Sequence, residues 1–138
     1  MELRSVEELM DLLHAGRPRH ALRTAALLRR SRPADKELQV AGLVRGIGPV
    51  LCPGEEEDRA RSAAEAVRAL LGERVFRLVR GDTVDPADPV DPADDDALRL
   101  RQAVEEGRTA GFDAGVLEDW RTVLELVAAR HARLGAVD

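Results

Sequence analysis

Cysteine, lysine and aromatic residues are nearly missing from this 138-residue chain, and each shortage closes a route. With Cys52 alone, no internal disulfide can form, so the fold must hold without a covalent staple, and a reducing compartment suits it. There is no Tyr, and Phe76, Phe112 and Trp120 are the only aromatics, so Leu, Val and Ala have to fill the core, as they do in helical bundles. No apolar run approaches the ~20 residues that a membrane span needs. The opening Met1-Glu2-Leu3-Arg4 runs straight into an amphipathic pattern with acidic residues, unlike a signal or transit peptide. A cytoplasmic protein with no membrane partner is the expectation. Lys36 is the only Lys among 21 basic residues, an Arg bias that suits a GC-rich genome and calls for no mechanism. The net charge of −5 argues against a nucleic-acid partner, whose binding surface needs an excess of cations. Nor is there a Gly-rich phosphate loop, a Cys pair, a His-Glu-x-x-His or a Ser nucleophile elbow.

What is present is helical punctuation. Ser5-Val6-Glu7-Glu8 matches a capping box, and Val6, Leu9, Met10, Leu12 and Leu13 form the stripe of a first helix that Gly16 and Pro18 end. A second helix is expected from about Arg19 to Arg30, with Ala21, Leu22, Ala25, Ala26 and Leu28 inward. Asp35 can cap a third, Lys36 to Val44, which delivers Arg45 and Gly46 at its end. A fourth follows the acidic run at 55–58, with Ala63, Ala64, Val67, Leu70 and Leu71 inward, and Gly72 stops it. Val75, Phe76, Leu78 and Val79 form a short fifth segment. Residues 81–93 read as an Asp/Pro-rich loop, since recurring Pro forbids helix and favours an extended, hydrated path. It lacks the Gly and terminal Glu of a calcium loop. Asp94 to Asp96 can cap a helix through about Arg108, and 117–134 reads as the longest helix, with Trp120, Val123, Leu124, Leu126 and Val127 apolar. The expectation is an all-α, single-domain bundle of six or seven helices spanning 1–138. At that length it buries roughly two-thirds of the surface its unfolded chain would expose. His14 and His131 fall near helix C-termini, where imidazole meets free carbonyls, and Cys52 reads as a small buried apolar residue.

Several segments carry a resemblance. His20-Ala21-Leu22-Arg23-Thr24-Ala25-Ala26 looks like a helix that supplies a metal-site His. Residues 34–44 lead into Leu43-Val44-Arg45-Gly46-Ile47-Gly48-Pro49, an apolar frame around a polar pair, and 97–108 looks like the helix of a last carboxylate ligand. Together they resemble the HD superfamily, namely its predicted phosphohydrolases and the mixed-valence di-iron oxygenases that cleave inositol or hydroxylated aminophosphonates. The resemblance implies an HD-like fold with its ligands replaced. His20 keeps the first ligand type, while Arg45 and Gly46 stand for the His-Asp pair and Pro49 for a later His. Asp58 and Asp82 stand where two further His would be, Val104 for the last Asp and Arg108 for a substrate-contacting Lys. Guanidinium has no lone pair to give, and Gly, Pro and Val have no donor atom.

The resemblance therefore implies a protein with no metal and no cofactor. Its former metal pocket is expected to bind a small, anionic organic molecule through Arg45 and Arg108. Any surviving chemistry would be metal-independent lyase, isomerase or cyclase work, with His20 and Asp58 or Asp82 moving the proton. The alternative is a non-catalytic interaction or regulatory module, its pocket closed by an Arg45–carboxylate bridge and its surface serving a protein partner or a homodimer. A third reading places one metal on His20, Asp58 and Asp82, which Arg45 in the same cavity opposes electrostatically.

Overall fold

The computed structural model describes residues 3, 5–16, 18–51, 56–80, 92–109 and 115–135, and the described residues are helical with no strand. The order is α1 (Val6–Ala15), α2 (Pro18–Ser31), α3 (Lys36–Val44), α4 (Gly48–Leu51), α5 (Glu56–Leu71), α6 (Glu73–Arg80), α7 (Pro92–Thr109) and α8 (Arg121–Gly135). Single 3-10 turns at Arg45–Ile47 and Leu117–Trp120 lead into α4 and α8. The all-α bundle expected from the sequence is what the chain forms.

Local chemistry accounts for several boundaries. The Ser5 hydroxyl accepts from the Glu8 amide at 3.3 Å, as a capping residue does, and the Gly16 amide closes α1 on the Leu12 carbonyl. Asp35 caps α3 by accepting from the Leu38 amide at 3.1 Å. Packing accounts for the rest. Every residue of α3 from Leu38 to Val44 is buried, so the helix is covered on all sides, with α2, α6, α7 and α8 against it. Its one buried polar side chain, Gln39, donates its amide to the carbonyls of Arg32 (2.8 Å) and Pro33 (3.2 Å), which satisfies the α2–α3 turn.

Two expectations, the extent of the 81–93 loop and the longest helix, need correction. Residues after Gly46 do not leave the helical path, because a 3-10 turn re-forms as the short α4, where Pro49 sits in the first turn and removes no helix bond. α7 starts at Pro92, inside the segment read as loop, for the same reason. Residues 81–91 of that loop, and Cys52, lie outside the described residues. The segment from Leu117 is a 3-10 turn followed by a 15-residue helix, so the 18-residue α7 is longer. Leu126 is 44% exposed, since the inward face of α8 runs through Leu124 and Val127, after the buried Trp120 of the preceding turn, and residue 126 falls beside that face.

Between α5 and α6 the chain turns on Gly72 alone, at φ +100°, a left-handed conformation that side chains resist. A Cβ there would also lie 3.0 Å from Nδ1 of His131 on α8. Replacing Gly72 with Ala is expected to cost at least about 1–2 kcal/mol in urea denaturation, the ordinary penalty of the left-handed region. An unchanged midpoint would mean that the turn relaxes freely.

Candidate functional site

His20 occupies the first turn of α2, and its half-buried ring crosses to α7, where Nε2 lies 3.0 Å from the Val104 carbonyl oxygen. A carbonyl only accepts, so Nε2 carries the proton and donates it. The buried Thr24 donates its hydroxyl to the His20 carbonyl at 3.1 Å, which fixes the same turn from below. Gly107 provides the space, because a Cβ there would stand 3.2 Å from the His20 ring and 3.0 Å from Thr24 Oγ1. Two residues 84 positions apart, His20 and Val104, are thus brought together. Their contact is a strut between helices, with the proton on Nε2 and the lone pair of the ring on Nδ1.

Arg45 is half-buried at the end of α3 and begins the 3-10 turn. Beside it, Gly46 is pressed against α2, where an added Cβ would lie 3.0 Å from the Cβ of Ala21. Its carbonyl faces Gly16 at the end of α1, within 3.0 Å of where a Cβ would be. A Cβ at Gly46 would press on the Ala21 methyl, which would have to give by a few tenths of an ångström. Asp58 stands exposed in the first turn of α5. Asp82 lies outside the described residues, as does the side chain of Arg108, whose backbone belongs to α7. Among the described residues no three His, Cys, Asp or Glu gather as metal ligands would. Arg45, Gly46, Pro49 and Val104 bring no side-chain lone pair that a metal could use.

A second feature lies at the opposite end of α3 and joins residues the sequence could not connect. The Arg74 guanidinium on α6 grips both oxygens of Asp35, at 2.7 and 2.6 Å, and lies 3.3 Å from Glu37. These hydrogen bonds outweigh partial burial and hold the Asp35 carboxyl below its ordinary 3.8. Next to this clamp is a hollow of about 680 Å³ between the α2–α3 turn and α8, with Lys36 and Arg130 on its rim and Leu126 in its wall. Asp35 was legible as a cap. Its partner Arg74, 39 residues away, and the lining from α8 were not.

Comparison of the chain with family models, with curated proteins and with solved structures gives no match.

Two outcomes are expected. Long-range nitrogen–proton correlation spectra should place a proton on Nε2 of His20, and His20→Ala should lose about 0.5–1.5 kcal/mol, the net worth of one hydrogen bond. A bare Nε2 would remove the strut. For Asp35, a folded value below the unfolded one means that its carboxylate adds stability above pH 3.8, and that this is lost as pH falls through the lowered folded value. The stability gap between wild type and Asp35→Asn, which keeps a capping oxygen, should be full at neutral pH and close in that acid range. A gap that persists or widens there would show that the Arg74 pair is not its source.

Proposed function

We propose that this chain is a degenerate HD-type helical protein that works by binding, as a non-catalytic interaction or regulatory module. The observation that carries the reading is the His20 Nε2–H donated to the Val104 carbonyl. That bond gives the half-buried ring a structural role, holding α2 to α7, and leaves the lone pair on Nδ1. Support also comes from Gly46, which has no ligating atom and where an added Cβ would press on Ala21. Acid–base chemistry through Nε2 would require the ring to leave Val104, so a proton-transfer role for this ring would fall to Nδ1.

Elemental analysis tests this on the intact protein. Wild type incubated with ferrous or manganous ion and desalted is expected to retain only sub-stoichiometric metal. One or two equivalents per chain, lost in His20→Ala, would overturn the reading. A second arm is the single substitution Gly46→Asp, which restores a carboxylate at the central position. It is expected to lower the thermal midpoint without raising metal retention, because its Cβ meets Ala21 before its carboxylate can reach a metal. Gained metal with an unchanged midpoint would mean that an open pocket lies there after all.

A further inference from the structure

We infer that the hollow at the α2–α3 turn binds a small organic anion with an apolar body. The site is separate from the former metal position, and the inference stands whatever becomes of that position. The volume of about 680 Å³ lies within the range of small-molecule sites, roughly 300–1,000 Å³. Its charge is opposite to that of the molecule. Arg32, Lys36, Arg74 and Arg130 line it against the two carboxylates of Asp35 and Glu37, on a chain whose net charge is −5. A local cationic patch on an acidic protein draws anions and repels metal cations and amines.

The hydrogen-bonding capacity is equally one-sided. Gln39 occupies the carbonyls of Arg32 and Pro33, and the Leu38 amide and Arg74 occupy the Asp35 carboxylate. With these acceptors engaged internally and the Glu37 carboxylate 3.3 Å from Arg74, the Lys36 ammonium and the Arg130 guanidinium add donors to the lining. One turn before Arg130 on the same helix, Leu126, 44% exposed, and the buried Val127 add apolar surface to the lining. An inorganic ion would leave that surface wet, and a neutral apolar compound would leave the cations unused. A carboxylate, sulfonate or phosphate on a hydrocarbon or aromatic body uses both.

The probe is 8-anilinonaphthalene-1-sulfonate, which has an apolar ring system and one anionic group. One site per chain is expected, weakened roughly tenfold or more by Lys36→Glu, by Arg130→Glu and by Leu126→Asn, and unchanged by Arg61→Glu on the exposed side of α5. Far-ultraviolet dichroism and denaturation midpoints confirm that each variant is folded, because loosened states also bind this dye. Lys36 supplies a readout that needs no substitution. As the only side-chain amine in the chain, its acetylation by an active ester can be located by mass, and saturating dye should slow it. Equal dye affinity in folded Lys36→Glu and Arg130→Glu proteins, or acetylation indifferent to the dye, overturns the site. Protection by inorganic phosphate at the same concentration, as strong as that by the dye, overturns the apolar body.

Discussion

A helix that is apolar on every side cannot lie at a surface, and the burial of α3 from Leu38 to Val44 is the constraint around which this bundle is arranged. Four other helices are in contact with it. Such burial leaves a problem at each end, where peptide groups lack helical partners in a region short of water. At the start, Asp35 takes up an amide and Gln39 takes up the carbonyls of the incoming turn. At the finish, the chain tightens into a 3-10 turn and carries on as α4, so the backbone stays hydrogen-bonded as it leaves the core.

Both regions of chemical interest are consequences of these two solutions. The finishing end of α3 holds Arg45 and Gly46, and there α2 comes so near that a Cβ on Gly46 would lie 3.0 Å from that of Ala21. The starting end is different. Its turn stands away from α8, and Arg74 binds the capping carboxylate from the side of α6, so polar side chains meet over a hollow instead of interlocking. The clamp is only partly shielded from solvent, and its worth is accordingly closer to that of a surface pair than of a buried one.

What could be read from the sequence was what depends on neighbours in the chain. Ser5 and Asp35 as caps, Gly72 as a stop and Lys36–Val44 as a helix all follow from interactions within four residues. α4 could not be read, because Gly48 and Pro49 argue against helix locally and their cost vanishes only in a first turn. Leu126 is as apolar as its neighbours, and its angle on the helix leaves it exposed. His20 and Arg45 were picked out by resemblance. That His20 is held by a backbone carbonyl of α7 depends on packing across 84 residues, and a carbonyl leaves no trace in a sequence. The hollow joins α2, α3, α6 and α8, and no short motif spans them.

The single-residue join at Gly72 bears on the order in which the bundle assembles. α5 and α6 lie against each other over a link too short to carry a large loop entropy, and their contacts are close in sequence. The α2–α7 strut closes a span of more than eighty residues. Local pairs form ahead of distant ones when loop closure sets the rate, so the α5–α6 hairpin is an early platform and the His20–Val104 contact a late latch. A change in the hairpin then slows folding, whereas a change in the latch mainly hastens unfolding.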